Sequence, residues 1–195
     1  MRIITGKYKG RKLETPDNYD VRPTSDKVKE AIFSMLMYEV EDAVCADLFA
    51  GTGNLGLEAL SRGAAKCYFS DNDRTSIALV KANVEKCGAE AESVIIAGDY
   101  MKALRRISEP LDLIFLDPPY ESGYYGKALE TIDSLDLLSQ NGIIIAEHGK
   151  RTDLPAQVGG LVCFKKRRYG KSDVSLYARE TSVHCEESDT PGGEL

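Results

Sequence analysis

The chain has 195 residues, 43% of them hydrophobic and 29% charged, which suits one compact domain and leaves little room for a second. Five cysteines (Cys45, Cys67, Cys87, Cys163 and Cys185) fall at no paired spacing and only two histidines, His148 and His184, are present. With no signal-like or long apolar span, this argues against a disulfide framework, a zinc site or a membrane segment, and for a cytoplasmic protein without metal.

The formal net charge of −6 hides an uneven distribution. Residues 1–12 carry Arg2, Lys7, Lys9, Arg11 and Lys12 without an acid, and residues 165–171 carry Lys165, Lys166, Arg167, Arg168 and Lys171 without one. Tyr8 and Tyr169 interleave with these runs, a pattern that suits a nucleic-acid surface as well as a solvated face. In chain order, residues 2–13 mix apolar and basic positions around Gly6 and Gly10. This predicts a short hairpin or edge strand in a basic extension over residues 1–25. Arg22-Pro-Thr-Ser25 follows, where Thr24 or Ser25 caps a helix whose Val28, Ala31, Ile32, Met35 and Leu36 share one face.

From there strand and helix alternate: strand 44–49, helix 55–62, strand 66–71, helix 75–86, strand 92–97, helix 101–107, strand 111–116. A helix near 127–135 and a strand at 142–147 come next. Candidate strands 161–168 and 173–179 flank Gly170, as in an antiparallel hairpin. The predicted fold is α/β: a doubly wound, mostly parallel, seven-stranded sheet with helices on both faces over residues 26–181. Residues 182–195 carry Glu186, Glu187, Asp189 and Glu194 but no Lys or Arg, and read as a disordered acidic tail.

Two motifs sit at strand ends. Asp47-Leu-Phe-Ala-Gly-Thr-Gly-Asn-Leu-Gly56 joins the first parallel strand to its helix, and Gly51 and Gly53 permit a tight turn with close backbone approach. Gly51, Gly53 and Gly56 also match a dinucleotide pattern, so the glycines alone leave both nicotinamide and S-adenosylmethionine open. Asp71, ending the second strand, takes two ribose hydroxyls from either cofactor. Asp99, after the third strand, suits an adenine amino group or a helix N-cap equally. The second motif is the apolar run Leu111 to Leu116 entering Asp117-Pro-Pro-Tyr120. A carboxylate, a stiff carbonyl and an aromatic face suit a planar amine. Tyr124 and Tyr125 can line the same mouth, although packing at a helix start suits Tyr125 better.

Together Asp47-Leu-Phe-Ala-Gly-Thr-Gly53, Asp71, Asp99 and Asp117-Pro-Pro-Tyr120 resemble the class I S-adenosylmethionine-dependent methyltransferases that act on exocyclic amines. More narrowly, Met1-Arg-Ile-Ile4, Gly10-Arg-Lys-Leu13, Arg22-Pro-Thr24, Leu57-Glu-Ala-Leu-Ser-Arg-Gly-Ala64, Ile114-Phe-Leu-Asp-Pro-Pro-Tyr120, Glu147-His148 and Tyr169-Gly170 are similar to the bacterial small-subunit ribosomal RNA guanine-N2 methyltransferase family of RsmD type. The resemblance spans residues 1 to about 180. It implies methylation of a guanine amino group in 16S ribosomal RNA, within an assembled small subunit, by a monomer using S-adenosylmethionine. Asp47, Phe49, Gly51, Gly53, Asp71 and Asp99 would hold that cofactor. Lys7, Lys9, Arg11, Arg22, Lys166, Arg167, Arg168 and Tyr169 would meet RNA. Three positions depart from the family pattern: Thr5 stands where glycine is frequent, Asn54 where a small residue is usual, and Asp71 where glutamate is commoner.

The chemistry follows from the poor nucleophilicity of guanine N2, whose lone pair is spread into the ring. Asp117 and the Pro118 carbonyl would each accept one N–H and aim the nitrogen at the methyl group, while Tyr120 stacks on a base that is unpaired or flipped. A nicotinamide-dependent oxidoreductase, a non-catalytic RNA-binding assembly factor, and methyltransferases of DNA adenine N6 or protein glutamine are the competing readings. The first leaves Asp117 to Tyr120 without a role, and the second needs no intact cofactor loop.

Overall fold

The computed structural model describes residues 1–16, 26–118 and 123–183. Five parallel strands form the centre: β1 (Val44–Asp47), β2 (Lys66–Asp71), β3 (Ser93–Ala97), β4 (Leu111–Leu116) and β5 (Leu138–Gly149). Three more strands, β6 (Gln157–Val158), β7 (Leu161–Tyr169) and β8 (Ser172–Arg179), extend one edge. The order across the sheet is β3-β2-β1-β4-β5-β8-β7-β6. β8 runs antiparallel to β5, and β7 antiparallel to β8. The predicted doubly wound, mostly parallel sheet is therefore present with eight strands instead of seven. The additional one is the two-residue β6, too short to carry a periodic signal.

Helices α1 (Asp26–Met35), α2 (Asn54–Ser61), α3 (Arg74–Cys87), α4 (Tyr100–Arg106) and α5 (Tyr124–Ser134) connect the strands, and a short α6 (Glu180–Val183) closes the described chain. Alternation within the strands sorts the core into two layers. Phe115, Ile145 and Val174 face one layer with residues of α1, α2 and α3, whereas Ile114, Ile144 and Tyr177 face the other with α4 and α5. Strand β4 is central, with Leu111, Leu113, Ile114, Phe115 and Leu116 all buried, as its nearly unbroken apolar run requires. β5 begins four residues earlier than its sequence pattern suggests. Leu138 pairs with Leu111 before a register shift, and Gly142 lies so close to the Leu111 carbonyl that an added Cβ would meet that oxygen at 2.9 Å.

The amino-terminal stretch turns back on itself through an antiparallel bridge between Arg2 and Lys12, with Ile3 N–H donating to Arg11 O. Ile3, Tyr8 and Leu13 are buried in the layer that holds α1 and α2, so the hairpin shares the main core. The predicted caps Thr24 and Ser25 lie outside the described residues. So does the acidic tail beyond Val183, whose first two positions, Ser182 and Val183, belong to α6.

Candidate active site at the carboxyl ends of the parallel strands

The glycine loop leaves β1 and enters α2. Its turn is closed by Gly53 N–H donating to Ala50 O at 2.6 Å, and Gly51 and Gly53 have φ of +54° and +78°, where side chains are strained. Gly56 serves packing: a Cβ there would lie 2.3 Å from the Phe69 ring and 2.6 Å from Cys67 Sγ, so only glycine lets α2 approach β2 this closely. Asp47 is buried beneath the loop and accepts from Gly56 N–H at 3.0 Å. Burial pushes its carboxyl up to about 7, against the opposing pull of that hydrogen bond.

Asp71 ends β2 half-buried. One carboxylate oxygen accepts from Gly51 N–H at 2.8 Å and the other from Asp73 N–H at 2.9 Å. Each oxygen has a second lone pair, so the carboxylate retains capacity for two hydroxyl donors. A glycine cradle beside an acid with two open acceptor positions fits the amino-acid and ribose portions of S-adenosylmethionine. Asp99 caps α4, its Oδ1 accepting from Lys102 N–H at 2.8 Å. It is exposed at the end of β3, where an adenine amino group would lie if the ribose sits on Asp71.

Asp117 follows the last residue of β4, with half-buried Asp117 leading into buried Pro118. Because β4 is hydrogen-bonded directly to β1, with Asp47 opposite Phe115, this turn and the glycine loop leave adjacent strands about 4.8 Å apart. Pro119 and Tyr120 lie outside the described residues, as does Arg22. Phe49 is not isolated in its loop: its ring centroid is 5.2 Å from that of Tyr100 and 5.8 Å from that of Tyr124. Tyr125 packs inward, donating its hydroxyl to Glu147 O at 2.6 Å, as expected for a residue at a helix start. His148, next in β5, is also internal. Its Nε2 lies 2.9 Å from Ser175 Oγ, and burial lowers its pKa.

The two basic runs occupy opposite ends of the sheet. Lys7 pairs with Glu92 at 2.7 Å, just before β3 begins, and Arg11 donates to Lys86 O in the last turn of α3. Those partners mark the amino ends of the parallel strands, away from Asp117; Lys9 is exposed in the same hairpin. The β7 run lies at the other end. Register links Ala146 to Ser175 and Ser175 to Lys166, then Glu147 to Val174 and Val174 to Arg167, then His148 to Asp173 and Asp173 to Arg168. Since Leu116 pairs with Ala146, Lys166, Arg167 and Arg168 sit level with Asp117, three strands or about 14 Å across the sheet. Lys166 and Arg168 share the buried Asp173 at 3.7 and 3.3 Å, and the Tyr169 hydroxyl lies 3.8 Å from Met35 Sδ.

Sequence reasoning missed the buried polar network beneath the loop. Lys29, on α1, bonds Glu58 at 2.9 Å, Asn54 Oδ1 at 2.7 Å and Arg2 O at 2.6 Å. Glu58 also accepts from Ile4 N–H, Thr5 N–H and Arg62 Nε. Asn83, on α3, donates to Thr52 O and Glu14 O while accepting from Glu14 N–H. The hairpin is thereby tied to both flanks of the glycine loop. Asn54, the first residue of α2, thus shares Lys29 with Glu58.

A doubly wound sheet with a glycine loop after β1, a carboxylate ending β2 and an acid-proline turn ending β4 has the architecture of a class I methyltransferase. Comparison with known proteins narrows this class. The family model described as Conserved hypothetical protein 95 matches residues 1–178, and the chain belongs to that family, the methyltransferases of RsmD type. Ribosomal RNA small subunit methyltransferase D of Escherichia coli strain K12 is 32% identical over 92% of this chain and 90% of its own. The Bacillus subtilis protein YlbH is 39% identical over 92% of this chain and 99% of its own. The solved structure of yhhF from Escherichia coli superposes with a TM-score of 0.82 at 32% identity, covering 92% of this chain and 98% of that one. Among the described residues no group of three or more His, Cys, Asp or Glu could hold a metal ion, and no helix is long and apolar enough to cross a membrane.

Proposed function

We propose that this protein transfers the methyl group of S-adenosylmethionine to the exocyclic N2 amine of a guanine in 16S ribosomal RNA, within the assembled small subunit. The observation that carries the reading is the adjacency of β1 and β4, which sets the glycine loop and the Asp117-Pro118 turn side by side. The names of the relatives supply the ribosomal RNA. In this reading Gly51 and Gly53 admit the cofactor, Asp71 takes its ribose hydroxyls and Asp99 its adenine amine. Bound S-adenosylmethionine supplies an already activated methyl group, so the chain's task is alignment. Asp117 and the Pro118 carbonyl accept the two N–H groups of the amine and localise the nitrogen lone pair, with Tyr120 stacked on the base. Product deprotonation follows transfer and needs no strong base. Lys166, Arg167, Arg168 and Tyr169 on β7 bind flanking phosphates and ribose; Lys7, Lys9, Arg11 and Arg22 contribute on the hairpin side.

The test is transfer of labelled methyl to small subunits that lack the modification, followed by nucleoside mapping. Label in N2-methylguanosine of 16S RNA is the expected result. Label on another base, or none, overturns the assignment. Titration with NAD in parallel would expose an oxidoreductase by a preference for that cofactor.

A further inference from the structure

Three strand ends contribute one ring each to a small cluster: Phe49 after β1, Tyr100 after β3 and Tyr124 after β4. The Phe49 and Tyr124 rings are nearly parallel, 23° apart at 5.8 Å, while Tyr100 closes the group tilted by 35° to Phe49 at 5.2 Å and by 57° to Tyr124 at 5.7 Å. Burial separates the roles of these rings. Tyr100 is 7% exposed and Tyr125, beside Tyr124 in sequence, is 3% exposed, but Tyr124 is 40% exposed. Packing accounts for the buried pair and leaves the exposed ring unexplained.

Tyr124 stacks on Phe49, touches Tyr100, and at 40% exposure still reaches solvent. Such a ring extends a stack by one further planar group, because aromatic faces gain most from offset, near-parallel neighbours. Its backing is fixed, since Phe49 is anchored in the loop below and Tyr100 in the first turn of α4. Gly123, at φ +60° with nothing within 4 Å of an added Cβ, brings no side chain beside the ring. Tyr124 also reaches the cluster through the connection that carries Asp117, on the β4 side of β1. Asp71 and Asp99 stand on the β2 and β3 side.

We infer that the exposed face of Tyr124, backed by Phe49, is a stacking platform for an unpaired RNA base flanking the one presented to Asp117. This rests on the proposal that RNA is the substrate. Single-strand recognition commonly uses such platforms, which are tolerant of base identity and hold a strand splayed open beside a reacting nucleotide. The same ring chemistry could instead be met by the adenine of S-adenosylmethionine, and the experiment separates the two sources.

Tyr124→Ala, Tyr124→Leu and Tyr124→Phe would be compared with the parent in three measurements: co-sedimentation with unmodified small subunits, calorimetric affinity for S-adenosylmethionine, and methylation kinetics. The expected result is a roughly 10-fold or greater loss of subunit affinity for Tyr124→Ala, a similar rise in KM exceeding any fall in kcat, and unchanged cofactor affinity. Tyr124→Leu should resemble the alanine variant, whereas Tyr124→Phe, which keeps the ring, should restore binding to within about twofold of the parent. If cofactor affinity falls in step with subunit affinity, the platform serves adenine and the inference is wrong. If Tyr124→Ala binds subunits like an active parent, this inference alone is overturned. A parent that neither binds nor methylates subunits overturns the RNA assignment itself.

Discussion

Replacing Lys29 with methionine tests how the amino-terminal hairpin and the glycine loop are held together. Lys29 and Glu58 have fully buried side chains with Nζ and Oε2 2.9 Å apart. Removing one partner of such a pair costs about 3–5 kcal/mol, because the remaining charge stays desolvated. Glu58 would keep Arg62 Nε and the amides of Ile4 and Thr5, which points to the lower end of that range. Against this, Arg2 O and Asn54 Oδ1 lose their donor, about 1 kcal/mol each. The expected loss is about 4–5 kcal/mol, a large share of the 5–15 kcal/mol typical of a domain. Glu58→Gln should cost at least as much. It leaves a buried ammonium facing an amide, and one backbone N–H now meets an NH2 group. The double variant Lys29→Met/Glu58→Gln leaves no buried charge at the original pair. It should therefore cost less than the sum of its singles by about 2 kcal/mol or more. Urea unfolding of parent, singles and double, with the m-values compared, gives the cycle. Single losses below about 1 kcal/mol, or a strictly additive cycle, would refute the claim that this pair fastens the hairpin.

Asp71→Ala should weaken S-adenosylmethionine binding by roughly 2–4 kcal/mol through loss of two charge-assisted hydrogen bonds, and calorimetry that shows parent-like affinity would remove Asp71 from the cofactor site. Asp117→Ala should lower single-turnover methylation about 10- to 100-fold with cofactor affinity nearly intact; a parent-like rate would discard the amine clamp. Neutralising Lys166, Arg167 and Arg168 together should flatten the salt dependence of RNA binding by up to about 0.7 per lost single-strand contact, and neutralising Lys7 and Arg11 should flatten it less, because their partners Glu92 and Lys86 hold them at the amino ends of the parallel strands, away from Asp117. Equal slopes for the two sets would contradict the placement of RNA along β7. For Asp47, burial raises the folded carboxyl from 3.8 to about 7. Between those values the folded chain binds a proton that the unfolded chain has released, so stability falls as pH rises through the window. Asp47→Asn should make urea midpoints fall less between pH 4.5 and 7.5 than in the parent, and an unchanged slope would show that Asp47 does not titrate there.

The strand bearing Asp117 was legible because a doubly covered parallel strand must be apolar on both faces, and no other stretch of this chain runs Leu-Asp-Leu-Ile-Phe-Leu into a double proline. The glycine loop was legible for a related reason, since positive φ at Gly51 and Gly53 is a local demand. Gly56 was not: its necessity comes from Phe69 and Cys67 on another element, so the same glycine spacing fits two cofactors in sequence. Lys29 carried a signal that hydrophobic patterning alone discards. It stands three residues before Ile32, four before Phe33 and seven before Leu36, on the stripe that α1 buries, and Glu58 is the lone acid of a helix buried on every side. A cation and an anion each set in an apolar stripe must find one another or a comparable partner, because desolvation leaves neither alone. The two basic runs illustrate the opposite case. In composition they are nearly equivalent, but Lys7 and Arg11 meet Glu92 and Lys86 at the amino ends of the strands, whereas register carries Lys166, Arg167 and Arg168 to the level of Asp117. Charge along a chain has no direction relative to a sheet until pairing supplies one. The segment that follows an antiparallel turn back toward the strand ends is therefore the one whose charge comes level with Asp117.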